Sequence, residues 1–194
     1  MSVSPKVPKL SKKKVSNLKK TISILGIIIT FFILYFLQID LFNWFNIAGI
    51  KPNLFIVLVL CLGLFIGRKY AAPIGFIIGI YLDVLAGSQI GISALMYAAI
   101  GFLGGYFDKN FSKDSKITIL LMVAGSTLLY ETVVYIYTIA RNAIPLEFWG
   151  FIKIVLIETL FNVLLTIILY PLIRKTGYFF EETFKQKKFL TRYF

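Results

Sequence analysis

The ionisable side chains that could do chemistry lie where an apolar chain should not keep them. Asp83, Glu131 and Glu158 each sit inside a long apolar run, and Asn162 follows Glu158 by one helical turn on the same face. Carboxyls so placed serve a proton or ion pathway, bond to a neighbouring helix, or meet a partner's helix; residue type alone leaves all three open. The remaining chemistry is thin. Histidine is absent, which removes the commonest general base, metal ligand and proton-relay member. The single cysteine, Cys61, lies in an apolar run, forms no intrachain disulfide and reads as a small packing residue. No nucleophile–base pair, charged pore ring or metal ligand set can be assembled, so enzyme and channel rank last and no cofactor is expected.

The elements that must position these residues are membrane-spanning helices. The chain of 194 residues is 58% hydrophobic and only 15% charged, with a mean hydropathy of +0.83. A soluble domain of this size cannot hide so much apolar surface. Apolar runs predict six transmembrane helices at 21–38, 52–67, 71–86, 90–107, 117–140 and 148–173, most near the roughly 20 residues that cross a hydrocarbon core. Pro52 would occupy the first turn of the second. Residues 1–20, rich in lysine, predict a disordered cytoplasmic arm and not a cleaved signal peptide. Residues 41–45, LFNWF, suit the outer headgroup zone, and residues 174–194 predict an amphipathic cytoplasmic tail on an anionic inner leaflet, a partly disordered tail being the alternative.

Charge sets the orientation. With both termini cytoplasmic, only Lys51, Arg141 and Lys153 of the 21 basic residues fall outside. The net charge of +12 thus reports topology and attraction to anionic lipid, with no nucleic-acid partner expected. At the helical rise, Asp83 and Glu131 lie about 18 and 21 Å from the inner ends of their spans, and Glu158 about 15 Å from the outer end of its own. All three sit near the midplane or outward of it. Lys153, on another face from Glu158, would snorkel outward, leaving the carboxyls to bond with Ser126, Tyr130 or Asn162, or to be wetted by a cavity.

Most of the 14 glycines fall between residues 63 and 105, paired as Gly63/Gly67, Gly75/Gly79, Gly87/Gly91 and Gly101/Gly105. Small residues four apart let helices approach closely in a bilayer, where no hydrophobic force separates helix from lipid. Ala71, Gly75, Gly79 and Asp83 continue that step along one slanting stripe, which predicts that Asp83 faces protein, not lipid. Spans two to four should therefore form a compact internal core.

The run KPNLFIVLVLCLGLFIGRKYAAPIGFIIGIYLDVLAGSQIGISALMYAAIGFLGGY resembles the bacterial rod shape-determining protein MreD family. The matching pattern is a proline opening span two, a glycine-rich span three, D-x-L-x-G-x-x-x-G, then A-L-x-Y-x-x-x-G-x-x-x-G. These map to Pro52, Gly75, Gly79, Asp83, Leu85, Gly87, Gly91, Ala94, Leu95, Tyr97, Gly101 and Gly105. Asn53 departs from the pattern, since the family usually carries an acidic residue there. The resemblance implies a non-enzymatic scaffold of the wall-elongation complex (elongasome) in the bacterial cytoplasmic (inner) membrane. It would bind the single-span protein MreC and indirectly link MreB filaments to RodA and its transpeptidase partner, maintaining cell shape and lateral peptidoglycan synthesis. The family is also similar to the substrate-binding S-component of energy-coupling-factor vitamin transporters, which supplies both a fold expectation and the alternative function. The carboxylates and Asn162 toward the outer leaflet would suit that alternative, whereas the short, mostly apolar outer connections count against it.

Overall fold

The computed structural model describes residues 12–87, 90–108, 115–142 and 145–184. Helix α1 runs Lys12–Phe36 and passes through a π-helical turn, Leu37–Leu41, into one short turn, Phe42–Trp44. Then follow α2 (Leu54–Ile66), α3 (Arg68–Leu85), α4 (Ile92–Phe107), α5 (Lys116–Asn142) and α6 (Phe148–Phe184). The described residues contain no strand, only an isolated bridge between Ile47 and Ile50. The regions Leu18–Leu41, Lys116–Asn142 and Phe148–Phe184 are helices long and apolar enough to cross a membrane.

At the centre stands α2. Its 13 residues span about 20 Å, and every one except Leu58 is buried. A helix apolar all round is stable only where apolar matter surrounds it, and here that matter is protein. Phe55, Ile56, Val59, Leu60, Leu64 and Phe65 form the main core with Tyr97, Ile100, Ile119, Val123 and Tyr170. By contrast α1 shows Ile24, Leu25, Ile28, Ile29, Phe32 and Ile33 at its surface, a face suited to lipid.

Close backbone approach holds α4 between α2 and α3. A Cβ on Gly75 would lie 2.5 Å from the Tyr97 carbonyl oxygen, and one on Gly101 2.7 Å from that of Ala71. On the other flank, a Cβ on Gly63 would lie 2.6 Å from the Gly101 oxygen. Gly79 meets Ala94, and Gly105 meets Arg68, just as tightly. The stripe Ala71, Gly75, Gly79 and Asp83 is buried along its whole length.

Several boundaries differ from the sequence reading. Residues 12–20, expected to be disordered, are helical: α1 begins at Lys12, and no proline or glycine interrupts the chain from there to Gly26. Residues 1–11 and 185–194 of the expected arm and tail lie outside the described residues. The remainder of the tail is no separate element, since α6 continues unbroken through Pro171 to Phe184. Its last turns are held by Tyr178 against Phe65 (ring centroids 5.6 Å apart), Phe180 beside Gly26, and Phe184 against Tyr70 (5.1 Å). Pro52 stands ahead of α2 and not in its first turn; Asn53 is the N-cap and Leu54 the first helical residue. Gly87 and Gly91 are not packing residues. With φ of +57° and +109° and nothing within 4 Å of a built Cβ, they shape the turn between α3 and α4.

Gly101→Val forces α3 from α4 and should cost about 1–3 kcal/mol, lowering the melting temperature in detergent by several degrees. Gly125→Val, where a Cβ meets nothing within 4 Å, should leave it unchanged or raised. Light-scattering or tryptophan-emission melting curves of the two variants check this.

Candidate partner and packing site

The start of α2 gathers hydrogen bonds from several elements. A helix N-terminus leaves its first N–H groups without intrahelical acceptors. Here neighbouring helices supply the acceptors. Asn53 N–H donates to Asn162 Oδ1 on α6 at 2.8 Å, and Leu54 N–H to Gln38 Oε1 at 3.1 Å. Gln38 Nε2 in turn donates to the carbonyl of Pro52 at 2.5 Å. The Asn53 side chain accepts from Ile56 N–H at 3.4 Å and from the Tyr97 hydroxyl on α4 at 3.0 Å. Asn162 Nδ2 donates to Thr127 Oγ1 on α5 at 3.0 Å, so one asparagine joins three elements. The wide π turn of Leu37–Leu41 carries Gln38 into this cluster.

A second bond fixes the α3–α4 connection. Asp83 is 2% exposed, and its Oδ2 accepts from Gly91 N–H at 2.7 Å. Gly91 is the N-cap of α4 and cannot cap with a side chain, so the carboxylate, reaching across the turn, meets a donor at the positive end of that helix. A cavity of about 390 Å³ opens beside it, lined by Asp83, Gly87, Ser93, Tyr137, Thr138 and Arg141 among others. Next to it Tyr130 donates to Ser93 Oγ at 3.2 Å and stacks on Tyr97, ring centroids 5.2 Å apart.

Glu131 on α5 and Glu158 on α6 are neighbours, with Asn162 beside Glu158. Glu158 is 6% exposed, and its Oε1 has no hydrogen-bond partner; nor do the buried Tyr135 hydroxyl and Thr159 Oγ1. Lys153 is exposed and forms no part of this pair. Thus the structure brings Tyr97 and Asn162 together at Asn53, and Pro52 into the same cluster through its carbonyl. It pairs Asp83 with Gly91, sets Glu131 against Glu158, and spends Gly75, Gly79, Gly101 and Gly105 on packing. The acidic residues do not converge on one site. Among the described residues, no group of three or more His, Cys, Asp or Glu comes together.

Sequence reasoning missed Gln38, Thr127, Ser93 and Arg141. Asn53 carried a usable signal, an asparagine just before an apolar helix, which favours an N-cap. Gln38 carried none, because nothing in the local sequence marks a π turn.

An all-helical bundle with helices long enough to cross a membrane, its polar side chains bonded mainly to each other and to backbone, is a membrane protein built around an internal polar core. The family model of the rod shape-determining protein MreD matches residues 19–177, and the chain belongs to that family. Membership gives it a role in rod-shape determination. No curated protein and no solved structure matches the chain.

Asn162→Leu strips acceptors and donors from Asn53 and Thr127 at once and should destabilise by about 1–3 kcal/mol. Tyr97→Phe removes one neutral hydrogen bond and should cost about 1 kcal/mol. Chemical or thermal unfolding in detergent ranks the two; equal effects would contradict the hydrogen-bond network.

Proposed function

We propose that this chain is a non-enzymatic scaffold subunit of the wall-elongation complex in the bacterial cytoplasmic membrane, with six spans and both termini cytoplasmic. Its direct partner is MreC, and through it MreB filaments, RodA and the transpeptidase act on lateral peptidoglycan. Family membership supports this reading, and one structural observation carries it: Asp83 is committed to holding Gly91 at 2.7 Å. A carboxylate used this way serves the fold. It rigidifies a turn whose flanks show Val84, Leu85 and Ile90 at the surface, an apolar ledge suited to a partner's single helix.

A second reading, the solute-binding subunit of a vitamin transporter, draws on the cavity beside Asp83, where Arg141, Tyr137 and Ser93 offer polar groups. A small molecule retained stoichiometrically by the purified chain, or solute uptake lost on deletion, would favour it over the scaffold.

Asp83→Ala should lower recovery of MreC in detergent pull-downs several-fold, whereas Asp83→Asn should be milder because an amide oxygen still accepts from Gly91 N–H. Depletion should round rod-shaped cells and disperse sidewall synthesis. Unchanged cell shape on depletion, or equal tolerance of both substitutions, would count against the proposal.

A further inference from the structure

Where α5 begins and α6 passes its proline, a cavity of about 690 Å³ lies between the two helices. Its wall carries Lys116, Arg174 and Lys175 together with Tyr170 and Tyr178, and, among the described residues lining it, no carboxylate. Lys116 Nζ stands 5.3 Å from the Tyr170 ring centroid, and the Arg174 guanidinium 5.9 Å from that of Tyr178. The rings hold both cations against the wall, where they remain able to donate to an anion. Lys116 is also the first residue of the 27-residue α5, so the positive end of that helix lies at the same level.

The rest of the cavity is apolar. Leu120, Ile167 and Pro171 line it, and the exposed Leu121, Leu164, Ile168 and Leu172 carry an apolar surface onward along α5 and α6. Pro171 has no N–H to give the carbonyl of Ile167, which leaves an acceptor at the polar–apolar boundary. A cluster of cations, then a carbonyl without its usual helical donor, then an aliphatic wall is the order of groups that a phosphate, a glycerol hydroxyl and an acyl chain would meet.

We propose that this cavity binds the headgroup of one anionic phospholipid, with the phosphate on Lys116, Arg174 and Lys175 and the acyl chains along Leu120 and Ile167. The site rests on the inward orientation of the α5 start, where the leaflet is anionic, but not on the partner assigned above. Lipid binding by the purified chain is therefore read independently of MreC.

The test uses the full chain in neutral detergent, titrated with phosphatidylglycerol or with phosphatidylcholine of the same acyl chains. Bound lipid is counted by native mass spectrometry. Phosphatidylglycerol should bind about tenfold or more tightly than phosphatidylcholine, and K116Q/R174Q/K175Q should erase that preference. K12Q/K13Q/K14Q, which removes the same charge elsewhere, should keep it. Arg174→Gln alone, at an exposed position, should weaken binding about three- to tenfold and covers the case in which the triple variant does not fold. Inorganic phosphate at equal concentration should not displace the lipid. Equal binding of the two lipids, equal loss in the control variant, or full displacement by inorganic phosphate would each overturn the proposal. The last would identify a site for free anion.

Discussion

The fold depends on where α2 begins. A helix this apolar must still find acceptors for the N–H groups of its first turn, and here side chains of neighbouring elements provide them. The solution draws on most of the molecule: Gln38 from the π turn, Asn162 from α6, and Asn53 itself, braced by Tyr97 from α4. Thr127 from α5 completes the set by accepting from Asn162. Each bond alone is modest, but an unmade one in this setting costs the full desolvation of the group. The polar cluster therefore specifies which helices surround α2, and at what height.

Glycine then determines how near they come. With lipid as apolar as leucine, association of helices gains little from burial and must come from contact and from shared hydrogen bonds. Missing side chains at Gly63, Gly75, Gly79, Gly101 and Gly105 let backbones touch, and α4 becomes a thin layer between α2 and α3. Tyr97 shows the two principles in one residue. Its carbonyl fills the space left open at Gly75, while its hydroxyl reaches Asn53 at the head of α2.

Much of this was legible in the residues. The apolar runs located the helices because hydropathy is a local property, and the four-residue step from Ala71 to Asp83 marked a stripe that the structure buries. Pairs read as one kind of motif proved to be two kinds of geometry. Gly75 and Gly101 serve close approach, whereas Gly87 and Gly91 serve positive φ, and spacing alone does not separate these uses. What stayed hidden depends on contacts distant in the chain. Asn53 and Asn162 lie 109 residues apart, so nothing near either one names the other. The grouping of Lys116 with Arg174 is hidden in the same way. The end of α6 was misjudged because its charge pattern suggested an independent surface segment, while Phe180 and Phe184 in fact reach α1 and α3.

The enclosure of α2 carries a consequence for biogenesis. Thirteen residues are too few to cross a bilayer of about 30 Å unaided, and only Gly67 separates this segment from α3. The pair is thus suited to enter the membrane as a hairpin. Its proper surroundings, however, include α6, made about ninety residues later, which brings Asn162 to the head of α2 and Tyr178 to its foot. Until then the Asn53 N–H, at the head of the most apolar of the described helices, lacks the acceptor that α6 supplies. The nascent protein thus closes around its own centre only after α6 has been made.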